Sequence, residues 1–462
     1  MVTKIKTIYT CQQCGFESVK WAGKCPECGQ WNSFAEEQKL TGKDKSEQRH
    51  LTKFSSEVVT LNDVVIDNKN RYMTGIGEFD RILGGGIMPA SVVLLGGQPG
   101  IGKSTLMLQV CDKLCGSGLV VLYVSGEESL DQIKHRADRL DIRPKKNFYL
   151  VSETNLENIL ESVKKTNPDI LVIDSIQTTY RTDLTGASGT VGQIRECSQE
   201  FLHLAKGNKK GVTVFLLGHV TKEGDIAGPR VLEHIVDTVL YFETEKNDMY
   251  RILRSHKNRF GPTSEIGVFE MKKNGLAEVA NPSELFLAER NKSTPGSVIV
   301  SIMEGTRPFL LEVQALVTRT NFGMPRRMVT GLDYNRAIIL IAVLETRVGL
   351  PLEGYDIFVN IAGGIKVREP DIDLGICLAI HSAYSNINYP ADSVYIGEVG
   401  LSGEIRGVSY ISERVAEAEK LGFLTVYVPK YNMAGLNNAG FSKKLKIVPV
   451  DNVDKVIING KH

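Results

Sequence analysis

The chain has 462 residues, of which 42% are hydrophobic and 24% charged, and its formal net charge is +1 at pH 7. That length exceeds one hydrophobic core, so two or three globular domains are expected. Near-neutrality excludes a global field for nucleic acid, and any such partner must be met by local basic patches.

The longest uninterrupted apolar run, residues 337–344, is far short of the ~20 needed to span a bilayer. The first residues, Met1-Val2-Thr3-Lys4-Ile5-Lys6, lack the apolar core of a signal peptide. A cytoplasmic protein is the expectation. Four of the eight cysteines are paired near the start, and Cys111, Cys115, Cys197 and Cys377 are scattered, which suits a reducing compartment.

Cys11-Gln12-Gln13-Cys14 and Cys25-Pro26-Glu27-Cys28 are two C-x-x-C knuckles, each followed by a glycine. Two such turns present four thiolates tetrahedrally, the closed geometry of structural zinc. Disulfides are the competing reading, and a reducing compartment argues against them. A catalytic zinc would need an open position that a Cys₄ set does not leave. Residues 1–36 are therefore expected to form a zinc ribbon, and the polar stretch 37–57 a flexible linker with little to bury.

From residue 58 apolar patterning returns, and Thr74-Gly75 through Leu83-Gly84-Gly85-Gly86 leads into the strand-like Val92-Val93-Leu94-Leu95. Next comes Gly97-Gln98-Pro99-Gly100-Ile101-Gly102-Lys103-Ser104-Thr105, which contains the G-x-x-x-x-G-K-[ST] phosphate loop and opens a helical pattern. Its glycines let successive N–H groups turn toward phosphate oxygens, and the helix directs its positive end at the same anion. Lys103 then neutralises β/γ charge, and the Ser104 hydroxyl can ligate Mg²⁺.

Further β-branched runs end in polar groups: residues 119–124 before Ser125-Gly126-Glu127-Glu128, 170–173 before Asp174-Ser175, and 212–217 before Gly218-His219. Helical patterns separate them, so a parallel α/β sheet with helices on both faces is expected over residues 58–288. Ligands bind beyond the carboxyl ends of such strands. Asp174 is then the carboxylate that holds Mg²⁺, Glu127 or Glu128 the base that orients water, and His219 a sensor of the γ-phosphate.

The Thr-Gly…Leu-Gly-Gly-Gly lead-in, the phosphate loop and the Ser-Gly-Glu-Glu and Ile-Asp-Ser strand ends resemble the RecA-type ATPase core. With the cysteine knuckles, Lys257-Asn258-Arg259-Phe260-Gly261 and the C-terminal region, the resemblance narrows to bacterial DNA-repair ATPases of that superfamily. It implies a DNA-dependent ATPase using ATP, Mg²⁺ and Zn²⁺. It further implies a homo-hexameric ring that drives helicase or branch-migration movement on single-stranded and branched DNA during homologous recombination, with a RecA-type recombinase as partner.

By the same resemblance Lys257 and Arg259 act at a subunit boundary, on a neighbour's ATP or on the DNA strand. The residues alone allow an arginine-finger role, or phosphodiester pairing with a base stacked on Phe260, or a solvated turn. Residues 180–191 and 221–230 are glycine-rich loops that in RecA-like rings line the channel, with Arg181, Lys222 and Arg230 as phosphate contacts.

Breaker residues at 281–283 and 289–296 mark a boundary, and residues 289–462 form a last domain. Val313-Gln314-Ala315-Leu316-Val317, Gly331-Leu332-Asp333 and Val359 to Gly364 resemble the Lon protease domain, an α/β fold related to ribosomal protein S5. Where that family places its serine this chain reads Glu369-Pro370-Asp371, and where it places the lysine, Tyr410 to Arg414. The Ser-Lys dyad is missing, so a platform for assembly or DNA is expected, with Lys366, Arg368 and Arg406 as candidate phosphate contacts. Two rivals stand beside the motor: an ATP-dependent protease, and a regulatory ATPase or autokinase like the circadian-clock ATPases, which share the Glu-Glu strand end.

Overall fold

The computed structural model describes residues 4–11, 16–27, 29–41, 71–143, 145–184, 186–207, 211–219, 231–244, 250–263, 265–279, 281–287, 290, 294–321, 323–363, 366–436 and 440–459. The chain divides into two compact units, 1–279 and 280–462. Among the described residues no helix is long and apolar enough to cross a membrane.

The N-terminal module is a three-stranded antiparallel sheet in the order β2 (Glu17–Ser18), β1 (Lys4–Cys11), β3 (Phe34–Thr41). β3 pairs with β1 as far as Thr41 opposite Lys4, so the ribbon runs five residues past the expected linker boundary. A ladder of backbone hydrogen bonds does not require apolar side chains, which is why the polar composition of residues 37–41 concealed a strand.

The core of the first unit is a nine-stranded sheet. Its central parallel strands are β4 (Val92–Gly97), β5 (Val121–Ser125), β6 (Phe148–Ser152), β7 (Ile170–Asp174), β8 (Thr213–His219) and β9 (Thr238–Thr244). Three further strands, β10 (Tyr250–Asn258), β11 (Ile266–Lys272) and β12 (Gly275–Glu278), extend it antiparallel beyond β9. The order is β12-β11-β10-β9-β4-β8-β7-β5-β6, so β8 lies between the phosphate-loop strand and the strand that ends in Asp174.

Both faces are covered. Val93 and Leu95 look toward α1 (Gly77–Ile82), α2 (Lys103–Gly116) and α3 (Leu130–Arg139), and the alternating Val92 and Leu94 toward α4 (Leu156–Thr166), α5 (Val191–Gly207) and α6 (Val231–Ile235). Strands buried on both sides read as continuous apolar runs rather than alternating ones. The Thr74-Gly75 lead-in folds around the buried Asp80, whose carboxylate accepts from Thr74 N, Thr74 Oγ1 and Gly75 N at 2.8–3.0 Å.

The second unit begins nine residues before the expected boundary, because α7 (Pro282–Leu287) belongs to it. Ser283 Oγ accepts from Leu310 N at 3.2 Å and donates to Glu417 at 2.8 Å, so a breaker-rich stretch is bonded into this unit. Its seven-stranded sheet comprises β13 (Ser297–Glu304), β14 (Arg307–Arg319), β15 (Arg327–Thr330), β16 (Tyr355–Ile361), β17 (Ser393–Tyr395), the short pair β18 (Glu398–Val399) and β19 (Ile405–Arg406) beside it, β20 (Thr425–Pro429) and β21 (Lys446–Val450). Helices α8 (Tyr334–Val343), α9 (Asp373–Ser385) and α10 (Ile411–Lys420) accompany the sheet.

At the positions compared above with the Lon dyad, Arg414 on α10 is almost wholly buried. Its guanidinium donates to Asp371 at 2.5 Å, Glu369 at 3.0 Å, Ser301 O at 2.6 Å and Ser409 O at 3.0 Å. Burial pushes the Asp371 carboxyl up to about 6, outweighing the neighbouring cation. A guanidinium keeps its proton and cannot serve as the base of such a dyad. This network is a tie within the unit. Replacing Arg414 by Met would leave the two carboxylates without their cation, and the unfolding transition of this unit in denaturant should lose about 3 kcal/mol.

Candidate nucleotide site

The edge of the first sheet gathers four strand ends. β4 gives Gly97, β8 gives His219, β7 gives Asp174, and the turn after β5 gives Glu127. Between β4 and α2 the chain turns through Gly100 at φ +76° and Gly102 at φ +116°, conformations that side-chain-bearing residues rarely adopt. Gln98, Pro99 and Gly100 are exposed at the tip, and Arg251 Nε braces the loop from β10 by donating to Ile101 O at 3.1 Å. The glycine conformations and the fourteen-residue helix that starts at Lys103 fit a polyphosphate.

Lys103 is buried, and its ammonium donates to Gly97 O at 2.8 Å and Gln98 O at 3.0 Å and meets His219 Nδ1 at 3.2 Å. Burial lowers its pKa to about 8, although Asp174 and Glu127 pull the other way. An ammonium only donates, so Nδ1 accepts and the imidazole hydrogen lies on Nε2. That Nε2–H donates to Glu127 Oε1 at 3.0 Å, which also accepts from Ser175 Oγ at 2.6 Å. The His219 hydrogen bond, helped by Ser175, holds the Glu127 carboxyl down to about 2 against the effect of burial.

The two glutamates are thereby separated. Glu127 faces the loop through His219, whereas Glu128 is turned onto Arg136 of α3 and its N–H is held by Ser125 Oγ at 3.0 Å. Asp174 is buried on the face covered by α2, and one of its oxygens accepts from Tyr123 OH at 2.6 Å. Tyr123, Ser175, Arg251 and Gln177, whose Nε2 donates to His219 O at 3.3 Å, are site residues that no sequence motif marked. Only Tyr123 carries a signal there, because a hydroxyl in an otherwise aliphatic buried strand must find a partner. Ser104, in the first turn of α2, and Asp174 offer oxygen donors of the kind Mg²⁺ takes. Thr105 follows in the same turn.

Lys257 and Arg259 are not part of this cluster. β10 runs antiparallel to β9, so Lys257 stands opposite Val239 and hence beside Leu94, near the far end of the strand that finishes at Gly97. That is roughly 10 Å back along the sheet from the loop of the same chain. Lys257 Nζ donates to the carbonyls of Glu233 at 2.6 Å and Val236 at 2.8 Å, capping the end of α6, and burial lowers its pKa. Arg259, half exposed, meets the buried Asp237 at 3.4 Å, and Phe260 O accepts from Arg71 at 2.5 Å.

Two of the other expected cations are engaged elsewhere. Arg181 is paired with Asp183 and Glu200 at 3.0 and 3.2 Å, and Arg406 with Glu404 at 2.7 Å, so both are held by carboxylates of their own chain. Lys366 and Arg368 are exposed, and Lys222 and Arg230 lie outside the described residues. In the ribbon, Cys11 and Cys25 are buried, and Gly29 N returns to Cys25 O at 2.9 Å with Gly29 at φ +73°. Cys14 and Cys28 lie outside the described residues, and among those described no cluster of three or more His, Cys, Asp or Glu could hold a metal.

A phosphate loop with one strand inserted between it and the Asp174 strand defines a RecA-like ATPase fold, here followed by a Lon-like unit. Residues 56–225 match the family described as the AAA domain, residues 9–36 the rubredoxin metal binding domain, and residues 322–432 subunit ChlI of Mg-chelatase. The chain is 49% identical over 458 residues to the DNA repair protein RadA of Bacillus subtilis, covering 99% of each chain. It is 50% identical over 436 residues (94% of each) to that of Halalkalibacterium halodurans, and 48% over 454 (98% of each) to that of Listeria monocytogenes. The chain belongs to the family of the DNA repair protein RadA.

The His219 to Glu127 hydrogen bond yields a pH signature. Because the folded pKa of Glu127 lies near 2, below the ordinary 4.5, the group contributes stability that is present above about 4.5 and is lost as pH falls through 2. In His219→Ala the main cause is gone, and a carboxyl-carbon NMR titration should show Glu127 moving up toward 4.5.

Proposed function

We propose that the chain is a Mg²⁺-dependent, DNA-stimulated ATPase that assembles as a homo-hexameric ring and moves single-stranded and branched DNA as a helicase or branch-migration motor. Its relatives' name supports DNA repair as the setting, and homologous recombination alongside a RecA-type recombinase is part of the proposal. The observation that carries the reading is the line Lys103, His219, Glu127 across the strand ends beside the phosphate loop.

In this reading ATP phosphates draw the Lys103 ammonium away from its two carbonyls, restoring a full counter-charge to a cation that burial disfavours. His219 then loses its contact on one side and relaxes its grip on Glu127. A carboxylate held down to about 2 is a weak base, and release from Nε2–H returns it toward the basicity that water activation needs. Ser104 and Asp174 would hold Mg²⁺, which when bound offsets charge on the β- and γ-phosphates. Cys11, Cys14, Cys25 and Cys28 would hold a structural Zn²⁺.

Lys257 and Arg259 are proposed to serve a neighbour's site, since their own loop lies at the other end of the sheet. To do so Lys257 must leave the carbonyls that end α6, so a neighbour's nucleotide would pull on that helix.

Lys103→Ala should lower turnover at least about a hundredfold, as expected for loss of a preorganised cation. Lys257→Ala should keep DNA binding in a mobility-shift assay and fail in strand displacement. If Lys257 acts on a neighbour's nucleotide across a subunit boundary, Lys257→Ala should also lose ATPase rate, and mixing it with Lys103→Ala should restore part of that rate, because some sites then pair an intact Lys103 with an intact Lys257. A mixture as inactive as its components would place Lys257 outside the shared site.

A further inference from the structure

The ribbon carries both tryptophans of the chain, Trp21 and Trp31, and neither is in its core. The interior is built from Ile8, the buried Cys11 and Cys25, and an edge-to-face pair of Phe16 and Phe34 with centroids 6.4 Å apart. Trp21 and Trp31 are 56% and 68% exposed, with Val19 at 65% beside them. Keeping that much aromatic surface in water costs hydrophobic free energy that a larger core could have recovered.

The indoles are side by side. Residue 24 bridges to residue 31, and Asn32 N donates to Gly23 O at 2.8 Å, so the stretch bearing Trp21 runs antiparallel to the one bearing Trp31. Gly23 lies between the rings: a Cβ there would stand 3.7 Å from Trp21 and 3.9 Å from Trp31. Lys20 and Lys24 are exposed next to them in the chain, and the Lys24 ammonium stands 5.6 Å from the Trp31 ring centroid.

We propose that this surface is a stacking platform for single-stranded nucleic acid, with bases on Trp21 and Trp31 and backbone phosphates on Lys20 and Lys24. Aromatic faces interleaved with cations are the arrangement that holds unpaired strands without reading their sequence. Charge complementarity selects this occupant: the lysines flank the rings, and a strand brings one phosphate per base to them. The proposal rests on the DNA-linked reading above. It adds to it a grip on the strand outside the ATPase sheet.

Because the chain has no other tryptophan, its intrinsic indole emission reports this platform alone. Full-length protein is titrated with an oligothymidylate at low salt while a labelled copy of the same oligonucleotide monitors binding. Quenching that follows occupancy and is reversed by salt is the expected result. Trp21→Leu and Trp31→Leu should each weaken binding roughly tenfold, with the thermal transition and DNA-independent ATPase rate unchanged.

Binding with unaltered emission, or with affinity unaffected in both variants, would overturn the proposal while leaving the DNA-linked reading intact. No oligonucleotide binding by the wild-type chain at all would overturn both.

Discussion

A buried ammonium whose direct hydrogen-bond partners are two carbonyls and an imidazole sits at the centre of this molecule. Among the described residues Lys103 has no carboxylate within bonding reach; Asp174 and Glu127 act on it only at longer range, and burial still lowers its pKa to about 8. A fold that tolerates this cost is prepared for an anion supplied from outside. The glycine turn, the helix start and the strand ends are arranged about that point. The same imidazole that steadies Lys103 suppresses the basicity of Glu127, so the charge that recognises phosphate and the carboxylate proposed to activate water are linked through one ring.

Sheet topology decides what can act on that centre from the same chain. β8 lies between β4 and β7, which brings His219 within reach of both the loop and Glu127. The antiparallel extension does the opposite for Lys257 and Arg259. Reversing direction at β10 carries them to the far end of the strands, where Lys257 closes α6 and Arg259 joins Lys206 on the buried Asp237. Two cations that would be natural phosphate ligands are thus kept from their own loop by chain direction, the geometric basis for proposing a shared site.

The C-terminal unit is organised around a buried cation. Arg414, Asp371 and Glu369 form a buried ionic tie between α10 and the turn before α9, and Arg336 makes a second with the buried Asp373 at the start of α9. Such ties specify how elements meet more than they add stability. These ties fix how α10 and the start of α9 meet the rest of the unit.

Domain order, the phosphate loop and the polar strand ends were legible in the sequence because each is a local pattern: a glycine spacing, an apolar run, a pair of cysteines. So were Asp174 and His219, since a strand end in a parallel sheet points to one edge whatever its neighbours. The sequence left Glu127 and Glu128 equivalent, ended the ribbon too early and gave Lys257 no address. Those depended on which strands became neighbours and in which direction they ran. Pairings between residues tens of positions apart are set by the packing of whole layers rather than by any short stretch, and only the tertiary structure could decide them.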